Sequence, residues 1–273
     1  MKNKRLKHKF LVFLAFLVVI IELFPIFVVI SNGFKRDIDI FTSNPFSFKF
    51  SLQSYKSVLT DYMFLNSLKN SLIVALISSS FSVLAGAMAS YAITRYKFRG
   101  KTAIAYSFLT SRMIPQISLS IPLYLMFRNL NMLDNVFSLV LAYISFNVPY
   151  IIWLLLPFFA SIPREFEEAA RVDGCSEKRL FWSIFIPLVA PGLVVAMVFS
   201  FIMSWNEFLY ALILTNTQAR TAPISVNAFM GQYAPQWGQL SAAGTLMLIP
   251  AFIITLSLQR FIIKGLTAGG VKG

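Results

Sequence analysis

The chain has 273 residues, of which 57% are hydrophobic and 13% are charged, and its formal net charge is +13. Soluble domains carry about 25% charged residues, so the composition excludes a soluble globular protein and predicts an integral membrane protein. The basic residues flank apolar segments instead of lining one polar face, which sets nucleic acid aside as a partner and leaves membrane lipid and membrane topology as the explanation.

Taken in chain order, residues 1–9, MKNKRLKHK, form a basic tail before an apolar run over 10–30. The run is longer than the roughly 7–15 residues of a signal-peptide core, and no A-x-A site follows, so it reads as an uncleaved membrane helix. A helix needs about 20 apolar residues to cross the hydrocarbon core. Five further runs meet that length, at 67–93, 102–127, 136–160, 187–214 and 240–263. The predicted fold class is an all-α integral membrane protein with six transmembrane helices. Its single membrane domain spans 10–264, with cytoplasmic tails at 1–9 and 265–273.

The basic residues set the orientation. Arg112 lies inside the third run. On one side fall Lys2, Lys4, Arg5, Lys7 and Lys9; Arg95, Lys97, Arg99 and Lys101; Arg164, Arg171, Lys178 and Arg179; and Arg260, Lys264 and Lys272. The other side holds only Lys35, Arg36, Lys49, Lys56, Lys69, Arg128 and Arg220. Cytoplasmic loops carry the excess, so both termini and the loop over 161–182 are predicted to be cytoplasmic. Two long outer connections remain, one over 31–66 with NPFSF and one over 215–239 with TAPISVNAFMGQYAPQWGQ.

The loop over 161–182 is unusually charged for this chain. Pro163 suits a first helical turn, and Glu165, Glu167 and Glu168 sit where a helix dipole favours negative charge. Glu167 and Arg171 are four apart in the favourable order. Gly174 suits the left-handed position that ends a helix. Ser176 can cap a second helix, whose apolar face is Leu180, Phe181, Ile184 and Phe185. The local reading is a short helix, a glycine turn and a second helix that meets the fifth run at Pro187. An ordinary interfacial helix has the same features. The small pair Ala169 and Ala170 beside Glu168 would also let a partner's surface approach closely.

Polar groups inside spans are costly and usually face protein or water. Arg112, Asn147, Trp205, Asn206 and Glu207 are the candidates for a translocation pathway, with interhelical hydrogen bonding as the competing reading. Glu22 with Pro25 reads as structural. In the last outer loop Asn227, Tyr233 and Trp237 are candidates for contact with an outside partner, although aromatics also mark membrane interfaces. The single Cys175 can form no internal disulfide, and His8 alone makes no metal site. No catalytic or metal-binding residue is assigned.

The spacing Glu168-Ala169-Ala170, then Gly174, then Ile184 and Pro187 resembles the signature loop of ABC-importer permeases, with Ile186 where that family usually has Leu. NSL at 70–72, SYAITRYKFRGK at 90–101, IPLYLMFRNLNMLDN at 121–135, FSFIMSWNEFLYALIL at 199–214 and the ending QRFIIKGLTAGGVKG resemble maltose-type sugar permeases. The resemblance implies a cytoplasmic coupling helix between helices 4 and 5 that docks on a dimer of a separate ABC ATPase. The docking residues would be Glu168, Ala169, Ala170, Asp173, Gly174 and Pro187. It implies a second, homologous permease subunit and an extracellular sugar-binding protein as partners, in a bacterial or archaeal cytoplasmic membrane. This chain would hold no cofactor, since ATP and Mg belong to the partner ATPase. The sequence has no G-x-x-x-x-G-K-[ST] phosphate loop.

Three other readings compete. Glycerol phosphate carriers and peptide permeases share the architecture, and Arg112 is compatible with an anionic solute. An ion-gradient-driven secondary transporter would need an acidic relay, for which only Glu22 and Glu207 are available in the spans. A membrane enzyme would need a histidine cluster, a carboxylate pair or an activated nucleophile, and the sequence offers none.

Overall fold

A computed structural model of the chain describes residues 2–41, 48–231 and 234–268, with side chains described between residues 7 and 259 of those ranges. Among the described residues the chain is helical and contains no strand. Four helices among the described residues are long and apolar enough to cross a membrane. They are α1 (Lys2–Gly33), α4 (Tyr62–Arg95), α7 (Val136–Ala160) and α14 (Trp237–Ala268). Short helices α2 (Asp37–Ile40) and α3 (Gln53–Thr60) lie between α1 and α4.

The third expected span is not one helix. It is α5 (Lys101–Ser111) followed by α6 (Gln116–Asn129). At 1.5 Å per residue each half is far shorter than the roughly 30 Å hydrocarbon core. The break lies at Pro115, which lacks an N–H and whose ring opposes continuation of the preceding helix. The run of apolar residues conceals this, because hydropathy does not register a broken backbone.

The fifth expected span is also segmented. After α8 (Arg164–Val172) and α9 (Glu177–Arg179), a wide π-turn over Leu180–Phe185 leads through α10 (Ile186–Leu188) into α11 (Ala190–Trp205). The helical segment before Val189 and α11 meet at 77° and together are long enough for one span. Pro187 and Pro191 flank that bend. The chain breaks again at Asn206, Glu207 and Phe208 before α12 (Leu209–Leu214), and α13 (Ala222–Ala228) follows before α14.

The chain forms two compact units. The first comprises Met1–Leu65 and Ser225–Ile249. Its small core is Val58, Phe64, Ala242 and Ala243, with Tyr55, Phe229 and Leu246 around it. Gly238 is buried here, and its N–H donates to Asp37 Oδ1 at 3.0 Å. None of the apolar stretch of α1 is buried within the chain. In water that face would collapse, whereas in a bilayer the acyl chains solvate it and every backbone group is satisfied within the helix.

The second unit comprises Asn66–Ile224 and Pro250–Gly273. Its helices pack through small residues, as expected where no hydrophobic effect drives association. A side chain on Gly86 would collide with Ile151 of α7, and one on Gly192 with the Phe158 ring. Buried hydroxyls bind across helices: Ser90 Oγ donates to the Ile152 carbonyl at 3.0 Å, and Ser78 and Ser204 share a bond of 3.0 Å. One apolar cluster groups Tyr91, Ile151, Leu155, Phe159, Leu180 and Phe185, and a second groups Phe127, Leu139, Tyr143 and Tyr210.

Candidate functional site

The segment over 161–182 folds as a helix, a glycine turn and a second helical stretch. Pro163 is the residue just before α8, not within its first turn as the sequence suggested. Glu165 and Glu167 occupy the first turn, and Glu167 accepts from Arg171 at 2.9 Å. Arg171 also pairs with Glu177, which accepts the Tyr96 hydroxyl at 2.9 Å. That last bond is the main cause that raises the Tyr96 phenol above its ordinary pKa.

Gly174 has φ +75°, a region costly for residues with a Cβ. Its N–H bonds the Arg171 carbonyl at 3.1 Å, and the Cys175 N–H bonds the Ala170 carbonyl at 2.9 Å. This pair of bonds is the Schellman closure, which satisfies carbonyls that the helix end leaves open. Ser176 then accepts from the Arg179 N–H at 3.4 Å and starts the second stretch.

One face of this segment is fixed to the membrane domain. Ala170, Leu180, Phe181 and Phe185 are buried against Tyr91, Leu155 and Phe159. Arg95, at the end of α4, donates to the carbonyls of Phe159 (2.5 Å) and Ile162 (2.7 Å), and its guanidinium lies 4.6 Å from the centre of the Phe185 ring. A residue the sequence marked only as a positive charge therefore caps α7 and holds the turn beneath the segment. The opposite face is open. Glu168, Ala169, Asp173, Gly174 and Pro187 are exposed, as is Phe166, and Val172 is 87% exposed. Glu168 meets no polar partner among the described residues. The segment thus presents the acidic Glu168 and Asp173 with several small or apolar groups on a base packed against the membrane domain.

The polar candidates within the expected spans divide into two groups. Asn147 is fully buried, donates to Ser204 Oγ at 2.8 Å, and joins α7 to α11 and, through Ser78, to α4. Trp205 is 1% exposed and stacks on Phe201 with ring centres 5.7 Å apart. Those two are parts of the helix interfaces. Arg112, Asn206 and Glu207 instead lie at the breaks. Arg112 closes α5 and stacks over Tyr150 of α7 at 4.5 Å. Trp153 Nε1 donates to the Ala105 carbonyl at 2.9 Å and holds α5 on α7. Glu207 is 7% exposed, and its carboxylate accepts from the N–H groups of Tyr210 (2.8 Å) and Ala211 (3.2 Å), capping α12. Beside these breaks are two adjoining pockets of about 540 and 360 Å³, both lined by Gln116, Phe146 and Met203. Arg112 lines the larger, and Asn206 and Glu207 line the smaller.

Asn227 of α13 and Trp237 at the start of α14 are exposed, and Trp237 meets Phe41 edge-on at 6.2 Å. Tyr233 lies outside the described residues. In the second unit, the loop over 216–219 is organised by a group that sequence reasoning missed. Asp134, at φ +54°, accepts from the N–H groups of Asn216, Thr217, Gln218 and Ala219 at 2.9–3.1 Å. Partial burial opposes its charge, but these four donors outweigh that and hold the carboxyl well below the usual carboxylate range. Asn70 completes the arrangement, donating to the carbonyls of Gln218 (2.8 Å) and Arg220 (3.0 Å). Asp134 and its partners are more than 80 residues apart in sequence, so no local pattern could reveal the pairing. The only local sign was a residue tolerant of positive φ ahead of a helix start.

Residues 81–268 match the family described as binding-protein-dependent transport system inner membrane component. The chain is 35% identical, over the full length of both, to the trehalose/maltose transport system permease protein MalG of Thermococcus litoralis. It is 38% identical, over 82% of each chain, to the trehalose transport system permease protein SugB of Mycobacterium tuberculosis. Its fold matches a chain in the crystal structure of a bacterial ABC transporter involved in alginate import, with a TM-score of 0.77 at 22% identity and coverage of 96% and 98%.

Proposed function

The chain belongs to the binding-protein-dependent inner membrane components, in their maltose-type carbohydrate branch, and from that premise we propose that it is the permease subunit of an ABC importer that moves a sugar or oligosaccharide into the cytoplasm. ATP hydrolysis occurs in a separate ATPase. A second permease and an outer sugar-binding protein complete the assembly.

The observation that carries this reading is the segment over 161–182. It is bound to the membrane domain by Arg95, Ala170, Leu180 and Phe185, while Glu168, Ala169 and Val172 face outward. In this reading it is the coupling helix. Glu168 pairs with a basic residue of the ATPase, and the small residues allow close approach. Closure of the ATPase dimer on ATP pushes the segment, and because its base is rigid the push moves the helix bundle as a body.

The span count follows from the same reading. Four continuous helices, the bent span at Val189 and the broken α5–α6 pair make six, with both termini in the cytoplasm, in agreement with the positive-inside asymmetry. Arg112, Asn206 and Glu207 lie beside the translocation path, whereas Asn147 and Trp205 support it from behind. Outside, Asn227, Tyr233 and Trp237 are the proposed contacts for the binding protein, and Asp134 and Asn70 hold the loop over 216–220 in place. The ion-driven alternative is weaker, since the Glu207 carboxylate is taken up by two backbone donors and Glu22 is exposed on α1.

The test is reconstitution of the assembled complex in liposomes, with the binding protein outside and trehalose, maltose, diacetylchitobiose and a uronate disaccharide as probes. The expected result is uptake of one of them that requires enclosed ATP. Uptake driven by a proton or sodium gradient without ATP would overturn the reading.

A further inference from the structure

The pocket beside the break in α5–α6 has a chemistry that the importer reading does not by itself require. It has a volume of about 540 Å³, ample for a disaccharide, and its lining includes Arg112, Gln116, Ser145, Phe146, Met203 and Tyr210. Aromatic rings suit the CH faces of a sugar, and amide and hydroxyl groups suit its hydroxyls. The distinctive member is Arg112. Its guanidinium lies over the Tyr150 ring at 4.5 Å. A guanidinium carries a fork of N–H donors that matches an oxyanion in a bidentate way. Among the described residues no acceptor takes those donors.

No acidic residue lines this pocket. The adjoining smaller pocket has Glu207, but both of its carboxylate oxygens face backbone N–H groups of α12. Among the described residues no carboxylate of the pocket balances the positive charge of Arg112, which the carbonyl end of α5 and the Tyr150 ring offset only in part. Its depth makes that unusual. Arg112 is eleven residues beyond the start of α5, and Tyr150 is ten residues before the end of α7. At 1.5 Å per residue both lie about 15 Å from the cytoplasmic ends, close to the bilayer centre. A bare arginine there is costly and marks a pathway or a partner charge.

We propose that this pocket is a saccharide subsite within the membrane that takes an acidic sugar, with the sugar's carboxylate on the Arg112 guanidinium and its ring against Phe146. The inference rests on the sugar-permease reading and names its substrate class. It makes Arg112 a specificity-determining residue and Tyr150 the residue that positions it.

The test uses the assembled permease pair with its ATPase in lipid nanodiscs, without the binding protein, so that its selectivity does not mask the pocket. Saturation-transfer NMR is recorded with glucuronate and glucose as probes at equal concentration and fixed ionic strength. The expected result is a several-fold stronger signal for glucuronate. That preference disappears in Arg112→Gln and is partly kept in Arg112→Lys, which retains the charge. Equal signals for the two probes on the natural complex, or a preference unchanged in Arg112→Gln, overturn the proposal. So does loss of the second permease from the Arg112→Gln complex together with no glucuronate preference in the natural one, since Arg112 would then pair with a carboxylate of that subunit. The underlying reading fails separately. A complex that imports a neutral sugar with ATP but shows no glucuronate preference refutes only the substrate class, whereas a complex that imports no sugar refutes both.

Discussion

Replacing Gly174 isolates the backbone geometry of the outward-facing segment from everything else. A Cβ built on Gly174 meets no atom within 4 Å, so a small side chain adds no collision. What remains is the backbone angle of φ +75°. An alanine held in the left-handed region pays about 1–2 kcal/mol, partly offset by the lower freedom of alanine in the open state, for a net of about 1 kcal/mol. That amounts to roughly fivefold more frequent opening of the turn. The amides that report it are those of residues 174 and 175, which bond the Arg171 and Ala170 carbonyls. Hydrogen exchange on the purified complex should therefore rise about fivefold there in Gly174→Ala. Gly174→Asn should rise less, because asparagine tolerates this region, and Gly174→Val should rise more. ATP hydrolysis stimulated by the binding protein should fall in the same order. Exchange that is equal in the Ala, Asn and Val variants and the natural chain would refute the argument that the glycine holds the turn through its backbone conformation.

Arg95→Ala should cost about 2–3 kcal/mol of stability, because two carbonyls at the end of α7 lose a charged donor. Thermal denaturation in detergent reads it, and Arg95→Lys should recover less than half, since one ammonium cannot reproduce the fork. Asp134→Asn should free the loop over 216–219, at about 1–2 kcal/mol after allowance for partial exposure, with faster proteolysis there and a higher binding-protein concentration for half-maximal ATP hydrolysis. Because the Asp134 carboxyl is depressed in the folded state, its contribution is fully present above the ordinary carboxylate pKa and is lost only on further acidification. Loop protection should thus be flat from pH 8 to pH 5, and a loss within that window would count against the assignment. Asn147→Ala should cost only about 0.6 kcal/mol and leave uptake near normal, since its bond to Ser204 is structural; a large loss of uptake with normal stability would place it in the pathway instead.

Hydropathy made the continuous spans legible, and the run over 136–160 coincides with α7. The helix, glycine turn and cap over 163–176 were also readable, because each depends on residues within one or two turns of one another. The two broken spans were not read from the sequence. A window of apolar residues averages over Pro115, and it averages over Asn206 and Glu207, although a proline between two polar-tinged stretches was an available sign. The candidate residues fared according to the range of their interactions. Glu168 and Gly174 could be placed from spacing alone. Whether Asn147 and Arg112 face a helix interface or a pocket depends on which helices meet, and Trp205 is apolar enough to lie in either. Arg95 counted toward topology but also caps α7 across 64 residues of chain, and Asp134 reaches across more than 80. Hydrogen bonds of that range leave no periodic trace.

The central claim is that the exposed face around Glu168 carries the ATPase. It is tested most directly by purifying the chain from native membranes in mild detergent beside Glu168→Lys. The second permease and the ATPase should accompany the natural chain, and the charge reversal should lose the ATPase while keeping the second permease. Equal recovery of the ATPase with both forms, or a natural chain that purifies alone, would contradict it.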